Sequence, residues 1–160
     1  MSVAIRLGDL GLELPTRSAT FGAYVPAVKS GDFIFTSGQI PVVGGELIAT
    51  GLVSEAPDTE PGFVSIEVAQ ECAKQCIVNA LGAISTLAEL DDLDQIVKLT
   101  GFVASAPGFT AQPKVLDAAS NLLAEIFGHS AQHARSAVGV AQLPLGAPVE
   151  IELVVRAAAR

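Results

Sequence analysis

His133-Ala134-Arg135-Ser136-Ala137-Val138-Gly139-Val140-Ala141-Gln142, then Leu143-Pro144-Leu145-Gly146-Ala147-Pro148, then Val149-Glu150-Ile151-Glu152-Leu153-Val154-Val155 fills most of the last quarter of the chain. An arginine opens one β-like run, a Pro/Gly turn follows, and a glutamate opens the next run. In the last run Val149, Ile151, Leu153 and Val155 share one face, and Glu150, Glu152 and Val154 share the other. The run before it offers Ala137, Gly139 and Ala141 to one face and Val138 and Val140 to the other. Read as two neighbouring strands, the pair sets a fixed cation beside a proton-transferring carboxylate. A guanidinium holds a carboxylate bidentately, and a carboxylate shuttles protons.

Working outward, Pro113 to Phe127 reads as a helix, with Pro113 suited to its first turn. Leu93 to Ala104 reads as a strand. From Phe63 to Ala88, Ala69, Ala73, Cys76, Ala80, Ile84 and Leu87 recur at helical spacing. Residues 55–62 are loop-like, and Gly44-Gly45 precedes a short strand over 46–49. Tyr24 to Lys29 and Phe33 to Ser37 form a hairpin about Ser30-Gly31-Asp32. Residues 14–20 are a connector, and residues 2–12 form a short amphipathic helix with Ser2 as N-cap. The order is β-β-β-α-β-α-β-β behind an N-terminal helix. That predicts an α+β fold, a mixed β-sheet with two helices on one face.

The length suits one domain. Half the residues are hydrophobic and only 16% are charged, so part of the surface is expected to be covered by another subunit. No uncharged apolar stretch approaches the ~18 residues of a membrane span, and the start of the chain, with Arg6 and Asp9, lacks the long apolar core of a secretory signal. A cytoplasmic location is the default expectation, with no membrane partner. A net charge of −8, with the basic residues scattered, argues against nucleic acid as a partner.

Three blocks in order resemble the RidA family, also called YjgF/YER057c/UK114 or endoribonuclease L-PSP. The first is Phe21-Gly22-Ala23-Tyr24-Val25-Pro26-Ala27-Val28 with Phe35-Thr36-Ser37-Gly38-Gln39-Ile40-Pro41. The second is Asn79-Ala80-Leu81-Gly82-Ala83-Ile84 followed by Val97-Lys98-Leu99-Thr100-Gly101-Phe102-Val103. The third is the Arg135 to Val155 stretch. The resemblance divides the chain into an N-terminal helical extension over 1–20 and a single RidA-like domain over 21–160. It implies a chorismate-mutase-like sheet-and-helix fold, assembled as a homotrimer with clefts between subunits.

The resemblance also implies roles. Arg135 matches the arginine that binds the substrate carboxylate, and Glu150 matches the glutamate that activates water. Tyr24 matches the site tyrosine, whose hydroxyl orients substrate; packing in the core is the other reading of its ring. Ser37 matches a serine near the ligand and has no motif base beside it, so it reads as a hydrogen-bonding residue. Gly31 reads as the turn glycine that helps shape the cleft. The second helix offers Ser120 or, with a one-residue slip, Asn121 where the family usually has Asn. His133 stands where the family often has Pro, Val25-Pro26 where it often has Ser-Gln, and Ala137 where it often has Cys.

Without the family, Arg135 and Glu150 also read as a structural ion pair, Arg135 with Glu150 or Glu152. Cys72 and Cys76 read as two small apolar residues on one helix face, and His129 and His133 as loop histidines with no third metal ligand. No metal or cofactor is expected. The resemblance implies an enamine/imine deaminase, 2-iminobutanoate/2-iminopropanoate deaminase-like, that hydrolyses reactive 2-imino acids to 2-oxo acids and ammonia. A non-catalytic trimer binding a small carboxylate is the alternative, and an endoribonuclease is the third reading.

Overall fold

The computed structural model describes residues 2–15 and 23–157. Most of the expected connector, the boundary near residue 20, and Phe21-Gly22 lie outside the described residues. The chain begins with helix α1 (Val3–Asp9), whose N-cap Ser2 accepts the Ile5 N–H at 3.3 Å. A hairpin follows, β1 (Ala27–Ser30) and β2 (Phe33–Thr36), turned by Gly31-Asp32, with Gly31 at φ 58°. An antiparallel ribbon comes next, β3 (Val42–Val43) and β4 (Glu46–Leu47). A short parallel pair, β5 (Leu52–Val53) and β6 (Phe63–Val64), leads into α2 (Ile66–Ile84). Then come β7 (Leu93–Ala104), α3 (Gln112–Phe127), β8 (Ala134–Val140) and β9 (Val149–Ala157).

The central sheet is mixed and five-stranded, in the order β1-β2-β9-β7-β8, with α2 and α3 on one face. Two expectations are corrected. The expected third strand, over 46–49, is not in this sheet; it belongs to the β3–β4 ribbon. And β8 and β9 are not neighbours, because β7 lies between them. The reason is the connection through α3. β8 runs parallel to β7, and a parallel pair needs a long crossover, which puts β8 at the outer edge. The chain then turns back through 141–148 and pairs β9 antiparallel to the other side of β7.

Alternation along the strands builds the core. Val149, Ile151, Leu153 and Val155 of β9, Leu99 and Val103 of β7 and Ile34 of β2 are buried under the helices. Gly101 of β7 lets α3 come close: a Cβ there would stand 2.3 Å from Leu116 Cδ1. On α2, Asn79 is a buried polar residue with a purpose. Its Nδ2 donates to the carbonyls of Ile40 (2.9 Å) and Val42 (3.1 Å), tying the chain after Gln39 to the helix. Leaving such buried acceptors unpaired costs about 1–3 kcal/mol each. α1 joins the same core through Val3 and Leu7, and Arg6 Nη1 donates to the Ile126 carbonyl at 2.6 Å.

The other face of the sheet has no helix. Phe35, paired with Val28 and with Val154, is 42% exposed, and Val28, Phe33 and Val138 are exposed too. The charged and polar groups of that face include Lys98, Thr100, Ser136, Glu150, Glu152 and Arg156, and Lys98 Nζ donates to Ser136 Oγ at 2.8 Å.

Candidate active site

The expected site residues fall into two groups on opposite sides of the sheet. Arg135 belongs to the helix side. It sits on the edge strand β8 opposite Leu99 of β7, which is fully buried beneath α3. Its Nη1 donates to Asp117 Oδ1 and to Ser120 Oγ, each at 3.0 Å. Nη2 lies 3.5 Å from the Pro113 carbonyl. All three partners come from α3, where positions 113, 117 and 120 share a face at spacings of four and three. Among the described residues Nε makes no hydrogen bond, and Nη2 keeps a second proton beyond the one aimed at Pro113, so the Nε–Nη2 edge retains two donors for a bidentate carboxylate.

The counter-ion of Arg135 is thus Asp117, not Glu150 or Glu152. Asp117 was not singled out from sequence, although helical spacing from Ser120 marks it. The pair is partly solvated, with side-chain exposures of 24% for Arg135 and 57% for Asp117, so it holds the arginine only lightly. Ser120, rather than Asn121, meets Arg135; Asn121 lines a groove between α2 and α3. His133 is not an idle loop residue. Its Nε2 is 3.0 Å from Ser120 Oγ and its Nδ1 2.5 Å from the Ala131 carbonyl. With Ser120 and Arg135 it lines a pocket of about 370 Å³ floored by Ala124, Gly128 and Ala131.

Glu150 belongs to the open side. It pairs with Phe102 of β7 and is half-buried. Burial pushes its carboxyl above the usual range, and the Glu152 carboxylate on the same face pushes it further. The segment of Ser37-Gly38-Gln39 runs along it. Gln39 exchanges backbone hydrogen bonds with Ile151, at 2.8 and 3.0 Å, and this presses Gly38 against the glutamate. A Cβ at Gly38 would stand 1.8 Å from Glu150 Oε1. Gly38 is a site residue that sequence reasoning misses; its signal in the sequence is its place beside Ser37.

Ser37 Oγ donates to the Val25 carbonyl at 2.7 Å, and its N–H donates to Pro26. Ser37 therefore fastens the segment that carries Tyr24, whose side chain is 48% exposed and outside the core. Gly31 is placed elsewhere. It is at the tip of the β1–β2 hairpin, beside the Phe33–Arg156 end of the sheet, because β2 runs its whole length before reaching Ser37. The glycine next to the carboxylate is Gly38.

Cys72 and Cys76 are buried free thiols in α2. Burial pushes Cys72 up to about 11 and Cys76 well above its ordinary range, which makes thiolate chemistry unfavourable at neutral pH. Among the described residues no group of three His, Cys, Asp or Glu side chains is placed to hold a metal ion, and no helix is long and apolar enough to cross a membrane.

Comparison with known proteins agrees with this architecture. The sequence model of the endoribonuclease L-PSP family matches residues 15–157. Protein TCP17 of Trypanosoma cruzi is 40% identical over 156 residues, 96% of this chain and 92% of that protein. The crystal structure of Atu1372, a protein of unknown function from Agrobacterium tumefaciens, superposes with a TM-score of 0.84 at 37% identity, covering 98% of this chain and 94% of that one. The YjgF gene product of E. coli superposes with a TM-score of 0.59 at 26% identity, covering 89% and 95%. By the extent of these matches and by its sheet, the chain belongs to the endoribonuclease L-PSP family, the YjgF/RidA family.

Proposed function

We propose that the protein hydrolyses small 2-imino acids to 2-oxo acids and ammonia, in a cleft shared by two copies of the chain. The observation that carries this reading is Glu150. It is a half-buried carboxyl, raised by burial and by Glu152, set on an open sheet face against the backbone of Gly38. A carboxyl raised in this way suits proton transfer near neutral pH better than an exposed one. The open edge of Arg135 supplies the anchor for the substrate carboxylate.

In this scheme Arg135 of one copy holds the carboxylate, and Glu150 of the next faces the C=N carbon. Glu150 takes a proton from water as its oxygen adds to that carbon and returns it to the imine nitrogen, giving a carbinolamine. Glu150 then takes the carbinol hydroxyl proton and passes it to the amino group, the C–N bond breaks, and ammonia leaves as the C=O bond forms. Imine plus water becomes 2-oxo acid plus ammonia, with no redox change and no cofactor required. The exposed apolar side chains Val28, Phe33 and Phe35, with Val138 at the far edge of the same face, favour self-association of the open faces, and a homotrimer is the assembly we propose.

The test is hydrolysis of freshly generated 2-iminopropanoate against a no-enzyme control, since imines also hydrolyse in water. Glu150→Gln keeps the size and hydrogen bonding of the side chain but cannot take a proton. It is expected to lower the catalysed rate by roughly 10²–10⁴-fold. Equal rates in wild type and variant, above background, would overturn the role of Glu150. Rates at background in both would make the protein a carboxylate binder instead.

A further inference from the structure

His133 and Ser120 touch beside Arg135. His133 Nδ1 lies 2.5 Å from the Ala131 carbonyl, which can only accept, so that nitrogen carries a proton. In the neutral ring Nε2 is then bare and accepts the Ser120 hydroxyl proton across 3.0 Å. The Ser120 oxygen, its own proton committed, turns a lone pair to Arg135 Nη1, also at 3.0 Å. Donors therefore run in one direction: Arg135 to Ser120, Ser120 to His133, His133 to the backbone.

We propose that His133 is a positioning residue for Arg135, acting through the Ser120 hydroxyl, and that it holds the guanidinium with its Nε–Nη2 edge open to a ligand carboxylate. This rests on the carboxylate-binding reading of Arg135 given above.

The need for His133 follows from the habits of serine in helices. Inside a helix a serine hydroxyl can bond back to the carbonyl four residues earlier, which draws its oxygen toward its own backbone. An acceptor outside the helix pulls it outward, toward β8. Asp117 cannot do this work alone, since its exposed carboxylate is a weak and screened tether. The imidazole is itself fixed from two sides. Its Nδ1 is bonded to Ala131, and the preceding Gln132 carbonyl accepts from Gln95 Nε2 on β7.

The experiment has one arm without ligand and one with it. In nitrogen NMR at alkaline pH, the wild type is expected to show protonated Nδ1 and bare Nε2 on His133, with slow rotation of the Arg135 Nη groups. Ser120→Ala shifts the Nε2 signal, and His133→Ala frees Arg135 rotation. In calorimetry with pyruvate, His133→Ala and Ser120→Ala each weaken binding about three- to tenfold. The double variant is no weaker than either single one. His133→Gln, whose amide oxygen can still accept from Ser120, restores binding. A purely structural histidine would add its loss to that of Ser120→Ala and would not be rescued by glutamine.

An Nε2-protonated tautomer, unchanged Arg135 rotation in His133→Ala, or additive losses overturn the proposal. If wild type binds no pyruvate while the Arg135 signals respond to His133→Ala, the carboxylate reading fails and the positioning role stands.

Discussion

Arg135 and Glu150 lie on opposite faces of one sheet. On β7 the first pairs with Leu99 and the second with Phe102, three residues apart along a regular stretch, and an odd spacing reverses the face. The helices lie over Arg135 and the open face carries Glu150. Each therefore finds other company, Asp117 for the arginine and Glu152 for the glutamate. A reaction that uses both groups at one substrate requires a second copy of the chain.

That requirement can be tested by complementation. Arg135→Ala and Glu150→Gln chains are each expected to be inactive in imine hydrolysis. Unfolded together and refolded as an equal mixture, they should regain about one quarter of wild-type activity, the share of clefts that receive both intact residues. A mixture as inactive as its parents would show that the two residues do not meet across an interface.

The proposed assembly would use the open face. Phe35 is 42% exposed there, beside Val28 and Val154. Phe35→Glu would bury a charge in any interface formed by that face, at a cost of several kcal/mol per ion. Sedimentation equilibrium should show a trimer for wild type and a monomer for the variant, with little change in far-ultraviolet circular dichroism. A wild type that stays monomeric at micromolar concentration would remove the shared cleft.

The parts of this arrangement legible in the sequence were those set by local period. Leu93 to Ala104 reads as a strand and is β7, and the alternation of Val149 to Val155 gives the buried and open faces observed for β9. Ser2 reads as an N-cap and is one. Strand order was not legible, because it depends on the crossover through α3, and nothing in the runs around Arg135 and Glu150 says that β7 comes between them. The same gap hid the contacts of Asp117 and His133. Each is recognised by a contact between elements, and spacing within one element does not report it. Gly31 is the hairpin glycine that the turn signal predicts; what the turn signal does not report is which end of the sheet it occupies.

The like charge beside Glu150 makes a pH prediction with a definite sign. Burial and the Glu152 carboxylate both disfavour the anion, so both raise the pH at which Glu150 loses its proton. As a base Glu150 acts only when unprotonated, so catalysed hydrolysis falls as the pH drops through that value. Glu152→Gln removes the repulsion, and the acid limb of kcat/KM should move to lower pH. A limb that stays in place, or moves upward, would mean that Glu150 is not the titrating base.

Gly38 separates the site from the fold. A methyl group there would stand 1.8 Å from Glu150 Oε1, 2.7 Å from Cδ and 3.0 Å from Cγ. These atoms end a flexible side chain, so Gly38→Ala is expected to displace the carboxylate rather than break the sheet. Stability should change by about 1 kcal/mol or less, a shift of roughly 2–4 °C in Tm for a chain of this size. Turnover should fall nearly as far as in Glu150→Gln, because a general base must lie within hydrogen-bond reach of its proton. Pyruvate binding to Arg135 should change much less. Gly101→Ala is the control of opposite kind. Its methyl group would meet Leu116 side-chain atoms at 2.3 and 2.5 Å inside the packed core between β7 and α3, where overpacking costs about 1–3 kcal/mol. Gly101→Ala should therefore melt several degrees lower. If Gly38→Ala keeps wild-type turnover at wild-type stability, the position of the Glu150 carboxylate is not what the reaction depends on.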